Sequence, residues 1–211
     1  MIHPSSNKKQ TDPQSFDRIV RDVFAPIYPV IAEQIKNKTG INEGICLDVG
    51  CGTGALGRAL ARITELEITF FDQSEEMLEL AQKYAFEEDI LYRSGFVNGD
   101  IHAIALEDNS VDIVISRGSS PFWEDWHKAY SEIARVLKIG GMAYIGGGFG
   151  NAELREKIVA QMNENNPNWR NSFQDKIKPE REALPAILAS LDIAKYTIID
   201  DDSGFWAFIV K

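Results

Sequence analysis

The sequence predicts an α/β fold: a doubly wound, mostly parallel sheet of seven strands, with helices on both faces and an antiparallel C-terminal strand. Three observations carry this. Between residues 44 and 146, short apolar runs alternate with amphipathic stretches of roughly a dozen residues, the pattern of a parallel sheet covered on both sides. The first run passes straight into a glycine cluster, Gly50-Cys51-Gly52-Thr53-Gly54, which opens a helical stretch. The chain ends in two extended runs, 195–200 and 204–210, joined by a short acidic turn that permits only an antiparallel hairpin.

The elements follow in order. Residues 1–14 are polar, contain Pro4 and Pro13, and read as a mobile tail. From Ser15 the apolar positions Phe16, Ile19, Val20, Val23 and Phe24 form one helical stripe, broken at Pro26. A second helix, 28–36, carries Val30, Ile31 and Ile35 and stops at Lys38-Thr39-Gly40. Residues 44–48 are a buried strand, 55–63 a helix and 67–71 a second strand. Ser74 caps a helix over 74–84 with Met77, Leu78 and Ala81 on one face. A weaker strand spans 96–100 and a strong one 111–116. The helix 126–137 turns Ala129, Ile133, Ala134 and Leu137 inward and ends at Gly140-Gly141, before a fifth strand at 142–146. Helices at 152–163 and 180–191 then flank a polar stretch, ahead of the terminal hairpin.

Composition narrows the function classes. A chain of 211 residues makes one domain, here 15–211, with N-terminal helices or a lid at 15–40, a ligand-binding core at 43–146 and helices plus hairpin at 147–211. Lys+Arg 22 against Asp+Glu 32 gives a net charge of -10, which opposes docking on nucleic acid or an anionic membrane. Two cysteines, Cys46 and Cys51, make no disulfide framework, and scattered histidines make no zinc site, so no metal is expected. Without a long apolar run or a signal-like N-terminus, the expectation is a soluble cytoplasmic protein.

The glycine cluster reads in two registers. Gly52-x-Gly54-x-x-Gly57, with Asp72 ending the second strand, fits a dinucleotide fingerprint. Asp48 argues against that ligand, because a carboxylate two residues before the first glycine would repel a pyrophosphate. A sulfonium ligand such as S-adenosylmethionine carries two positive charges, lacks phosphate, and keeps a ribose diol for Asp72. The sign of one charge favours it.

These residues carry a family resemblance. DVGCGTG resembles the first motif of the class I S-adenosylmethionine-dependent methyltransferases, and three further segments follow in that family's order. FFDQSEEML resembles the second-strand acid and its helix, GDIHAIALEDNSVDIVIS the segment before strand four, and EIARVLKIGGMAYI the fifth helix and strand. Ala105 departs from the proline common there. FAPIYPVIA, SRGSSPFWEDW and YIGGGFG further resemble small prokaryotic methyltransferases of the Methyltransf_11/25 type, a likeness that implies no particular acceptor.

The resemblance implies a Rossmann-like fold, S-adenosyl-L-methionine as cofactor, and methyl transfer to an acceptor. It implies that Gly50, Gly52, Thr53 and Gly54 shape the methionine pocket, with Asp48 near the ammonium. Asp72 would take the ribose hydroxyls and Asp100 the adenine amino group, with Ile101 against the ring. Gln73 and Met77 would line the adenosine, although Met77 also falls on a core stripe. Ser116 and Arg117 follow strand four, where open α/β sheets place ligands, so they belong beside the methyl group. Arg117 is also the candidate for an anionic acceptor group, with a structural ion pair as the plain alternative. Phe122, Trp123 and Trp126 are candidates for an acceptor wall or an ordinary core staple, and Phe24 and Tyr28 for a lid. His127 and His102 are the candidate bases. Absence of an Asn/Asp-Pro-Pro-Tyr element, with the acidic charge, favours a small-molecule acceptor over nucleic acid. The competing readings are a short NAD-type oxidoreductase and a non-catalytic cofactor-binding module.

Overall fold

The computed structural model describes residues 12–165 and 169–211. The expected tail lies outside the described residues as far as 11, but Pro13 and Gln14 already belong to a helix. That helix, α1 (Pro13–Ile19), starts on Asp12, whose carboxylate accepts from the Ser15 amide at 2.9 Å, with proline at its first turn. It widens into a π-helical segment, Val20–Phe24, before α2 (Ile27–Thr39). Gly40, at φ 68°, ends α2 in the left-handed conformation and donates its N–H to the Lys36 carbonyl.

The doubly wound unit follows as β1 (Glu43–Val49), α3 (Ala55–Ala61), β2 (Glu65–Asp72), α4 (Glu75–Glu87), β3 (Ser94–Asn98), β4 (Val111–Arg117), α5 (Trp126–Val136) and β5 (Leu137–Gly148). After it come α6 (Ala152–Asn165), α7 (Trp169–Ala189), β6 (Lys195–Asp201) and β7 (Gly204–Val210). The seven strands lie in the order β3-β2-β1-β4-β5-β7-β6. β1 pairs in parallel with β2 and β4, and β4 with β5. β7 runs antiparallel to both β5 and β6, so the reversed strand is the last one and sits inside the hairpin's own partner. This is the predicted mixed Rossmann-like sheet.

Each sheet face has its own core. On one, Ile31, Ile35, Leu60, Phe70, Tyr144 and Trp206 gather beneath α2, α3 and α4. On the other, Ile133, Val136, Leu184, Leu188, Ala143 and Ile145 pack under α5 and α7. The central strand β4 is buried along Ile113 to Ser116, as expected of a strand covered on both sides.

Three predicted boundaries move. The fifth helix stops at Val136, and β5 starts at once with Leu137 paired to Val111; pairing resumes only at Met142 with Ile113. Gly140-Gly141 therefore lies in a bulge within the strand rather than ending a helix, and it is held by the C-terminal residue, Lys211. Much of the polar stretch before Glu180 is helical, since α7 runs from Trp169 through Pro179 and Pro185; 166–168 lie outside the described residues. Asp100 lies beyond β3 and caps a single 3₁₀ turn, Ile101–Ala103.

That turn and its loop are clasped to α5 by Arg135. Its guanidinium donates to the Ile104 and Leu106 carbonyls at 2.8 and 2.9 Å, and pairs with Asp108 at 2.7 Å and Glu132 at 2.8 Å. Glu132 in turn accepts from the Ile104 amide at 2.8 Å. Truncating Arg135 to alanine strands two partly buried carbonyls and should cost about 2 kcal/mol, or about 4–8 °C in Tm for a chain of this size. A melting temperature within about 1 °C of wild type would show that the clasp contributes nothing.

Candidate active site

The glycine loop lies across the end of β2. The Gly50 and Cys51 amides both donate to the Phe71 carbonyl, at 2.8 and 3.1 Å, and the Gly52 amide donates to Asp72 Oδ2 at 2.8 Å. Gly50, Gly52 and Gly54 have φ of 61°, 54° and 76°, a region side-chain-bearing residues enter at a cost. Gly50 also leaves no room for a Cβ, because Ser119 packs directly on it. Thr53 is 1 % exposed, and its hydroxyl has no partner among the described residues, so the loop holds one buried polar group without a hydrogen bond.

Two carboxylates stand behind this loop. Asp48 is 1 % exposed and accepts from the Gly57 amide at 3.0 Å. Burial pushes its pKa up to about 7; the Gly57 bond opposes the rise and nearby Asp72 adds to it. Asp72 Oδ1 accepts from the Ser74 amide at 3.0 Å. Burial raises its pKa as well, against the bonds from Ser74 and Gly52. Each Asp72 oxygen uses one lone pair on backbone and keeps one. Gln73 is exposed and Met77 partly buried at the start of α4.

Beyond β3, Asp100 Oδ1 accepts from the His102 amide at 3.0 Å and meets His102 Nδ1 at 2.6 Å, and these bonds hold its pKa below the ordinary value. His102 Nε2 accepts from the Asp125 amide at 3.2 Å. The ring thus joins two loops with both nitrogens engaged, Nδ1 as donor, Nε2 as acceptor. His127 is exposed on α5, 3.3 Å from Ser190 Oγ. Ile101 is buried in the second core, below the same loop.

The end of β4 is locked to the end of β1. Ser116 Oγ and Ser119 Oγ both donate to the Val49 carbonyl, at 2.7 and 3.2 Å, and lie 2.6 Å from each other. Ser116 is fully buried and its hydroxyl is used on this bond. Trp126 and Tyr130 are buried with Trp123 packed against them, and Trp126 Nε1 donates to the Ser120 carbonyl at 2.9 Å. These tryptophans staple α5 to the core; Phe122 is 58 % exposed.

Arg117 faces the opposite side of the sheet. Its Nε and Nη2 both donate to the Gly148 carbonyl at 3.2 Å. Its Cζ lies 4.7 Å from the Phe24 ring centroid, 5.9 Å from Tyr28 and 5.8 Å from Phe149. No carboxylate lies within salt-bridge distance among the described residues. The Tyr28 hydroxyl lies close enough to the Arg117 guanidinium to pair with it, and each shifts the other's titration. Burial lowers the Arg117 pKa and raises that of Tyr28, so the phenol stays protonated.

Sequence reasoning offered the N-terminal helices as a lid through Phe24 and Tyr28, but did not single out Phe16 and Asp17 of α1. Phe16 Cε1 lies 3.2 Å from where a Cβ on Gly52 would stand, and Asp17 accepts from Tyr84 of α4 at 2.8 Å and from Arg21 at 2.9 Å. The N-terminal helix therefore lies over the glycine loop. Cys46 and Cys51 have thiols pushed well above their usual range by burial, which keeps them protonated. Among the described residues, no three His, Cys, Asp or Glu side chains gather to hold a metal, and no helix is long and apolar enough to cross a membrane.

Comparison with known proteins gives concordant results. A family model described as a methyltransferase domain matches residues 47–145. A crystal structure from Methanococcus maripaludis, provisionally named an S-adenosyl-L-methionine-dependent methyltransferase, is 44% identical over 98% of this chain and 96% of that one, with a TM-score of 0.92. The sterol 24-C-methyltransferase erg6 of Aspergillus fumigatus is 34% identical over 121 residues, 56% of this chain and 32% of its own length. The chain thus spans about a third of the curated relatives it matches. Geranyl diphosphate C-methyltransferase from Streptomyces coelicolor, at 18% identity over 85% of this chain and 73% of that one, with a TM-score of 0.61, shares the fold.

Proposed function

The chain belongs to the S-adenosyl-L-methionine-dependent methyltransferases, and from that premise we propose that it transfers a methyl group from this cofactor to a small-molecule acceptor. The observation that carries the cofactor assignment is Asp48. A buried carboxylate behind three left-handed glycines suits a ligand bearing an ammonium and a sulfonium, and it opposes a pyrophosphate. The unpartnered Thr53 hydroxyl adds a polar group facing no protein partner.

When bound, S-adenosyl-L-methionine supplies an electrophilic methyl carbon on a neutral leaving group. The chain's own share is binding and alignment. Asp48 would hold the ammonium and the spare lone pairs of Asp72 the ribose hydroxyls. Asp100 and Ile101 would hold the adenine, with Gln73 and Met77 beside the adenosine. Gly50, Gly52, Thr53 and Gly54 would shape the floor. Ser116 acts on position: with Ser119 it fixes the β4 loop to the β1 end, so both sides of the pocket share one geometry. His102 is committed at both nitrogens and His127 lies against Ser190, which leaves alignment rather than proton transfer as the source of rate. A small acceptor is consistent with the small-molecule names of the sterol and geranyl diphosphate relatives and with the acidic surface.

The test is calorimetry on the full chain. S-adenosylhomocysteine should bind with one site per chain and NADH should not. Binding of NADH alone would overturn the assignment in favour of an oxidoreductase.

A further inference from the structure

One side chain bridges the two loops that flank the carboxyl ends of β3 and β4. The His102 side chain is 14 % exposed, and both of its nitrogens are engaged. The Asp125 N–H can only donate, so Nε2 accepts from it at 3.2 Å. Nδ1 then carries the ring proton and gives it to Asp100 Oδ1 at 2.6 Å. The ring therefore has a carboxylate on one side and a backbone amide on the other.

Asp100 is the open end of this bridge. Its side chain is 65 % exposed, and the bonds from the His102 amide and ring both fall on Oδ1. Its second oxygen is left to accept from a ligand. Asp125 is the other end. It caps α5 by accepting from the Lys128 amide at 2.9 Å, and it closes the stretch 118–125 that leaves β4. The start of that stretch is held by Gly118 on the Gly146 carbonyl at 2.7 Å and by Ser119 on the Val49 carbonyl at 3.2 Å. Between these anchors lie the 3₁₀ turn Ser120–Phe122 and Trp123. One end of the stretch is thus tied to the glycine-loop side of the pocket and the other to Asp100. Attachment of the neighbouring loop to α5 is already supplied by Arg135, which holds the Ile104 and Leu106 carbonyls. What His102 adds is a connection from an exposed carboxylate.

We propose that His102 is a positioning residue that carries occupancy of the adenine subsite to the stretch 118–125, so that the wall on the acceptor side is set when a nucleoside bearing a 6-amino group sits on Asp100. A donor on the second oxygen fixes a carboxylate that the free chain holds from one side only. The fixed carboxylate holds the ring, and the ring holds the Asp125 amide. Coupling of this kind is reciprocal, so an ordered stretch also favours the cofactor. The assignment rests on the methyltransferase reading and on Asp100 as the adenine partner.

Amide hydrogen exchange at Asp125, in the full chain, tests it. Calorimetry first establishes S-adenosylhomocysteine binding to wild type; no binding there defeats the methyltransferase reading and this assignment with it. At matched saturation, S-adenosylhomocysteine should slow Asp125 exchange by about fivefold or more, while its 6-deamino analogue, which leaves Asp100 without a donor, should not. His102→Asn keeps a donor near the Nδ1 position and places no acceptor at Nε2. It should hold S-adenosylhomocysteine within about threefold, which also shows that it folds, and lose the slowing. His102→Gln places an acceptor near Nε2. It should restore protection of Asp125 in the free chain without restoring the response to ligand. A histidine that serves structure alone would protect Asp125 equally with and without ligand. Three results overturn the proposal: wild-type exchange at Asp125 that ignores bound S-adenosylhomocysteine, equal slowing by the 6-deamino analogue, or equal slowing in His102→Asn.

Discussion

Replacing Asp48 with asparagine is expected to stabilise the free protein at pH 8 while weakening S-adenosylhomocysteine binding about 100-fold. Both effects come from one buried carboxylate. Its pKa is about 7 in the folded chain against the 3.8 ordinary for an aspartate, so between those values the folded state binds the proton that the unfolded state has released. Stability therefore falls as pH rises from about 4 to about 7, and it stays low above that. The ionised group costs the free fold up to about 4 kcal/mol. Asparagine accepts the Gly57 amide as well as aspartate does, without the charge. Its melting temperature at pH 8 should exceed wild type by about 5–10 °C, with the difference shrinking toward pH 5. Binding moves the other way, because the amide leaves the ligand's ammonium without a counter-charge. Wild-type affinity should weaken as pH falls below 7, and the variant's should not. Scanning calorimetry and titration across pH 5–8 check both. A destabilised asparagine variant at pH 8 would contradict the burial account.

Gly50→Ala should unfold the site. At φ 61° an alanine costs about 1–2 kcal/mol in backbone strain alone. Its methyl would also strike Ser119, whose Oγ would stand 2.6 Å away, so the Ser119 contacts with the Val49 carbonyl and with Ser116 must give way to make room. A loss of about 3–5 kcal/mol is expected, read as a fall of about 10 °C or more in Tm with no measurable cofactor binding. Gly118→Ala is a useful control: φ is 80° but nothing stands within 4 Å of the added methyl, so strain acts without the clash and the fall should be clearly smaller. Equal losses at the two glycines would show that the Ser119 contact contributes nothing.

Local chemistry made the first half of the chain legible. A strand entering glycines, an acid at the end of the next strand and a serine cap are short-range signals, and β1, the loop, β2 and α4 lie where those signals put them. Trp126 was legible too, for with Ala129, Tyr130 and Ile133 it falls on one helical stripe. Trp123 and Trp126, open in the sequence between an acceptor wall and a core staple, pack as the staple that ties α5 to the core. What escaped depends on long-range register. Arg117 meets Phe24 across the widened turn Val20–Phe24 and Phe149 from beyond β5, and no local periodicity brings those together. The bulge at Lys138–Gly141 likewise arises from pairing with β4 and contact with Lys211, where the glycine pair alone resembles a helix stop. The helical start of α7 lies in a polar segment whose sequence has no apolar stripe to announce it.

Asp48, Asp72 and Asp100, set at the ends of successive strands, form the central claim: an acidic rim that selects a cationic nucleoside cofactor. A crystal structure with S-adenosylhomocysteine tests it most directly. The account predicts the ammonium within hydrogen-bonding distance of Asp48 or its bound water, the ribose diol on Asp72, and the adenine between Ile101 and Asp100. Ligand density away from the glycine loop, or a ribose that leaves Asp72 with its backbone bonds alone, would contradict it.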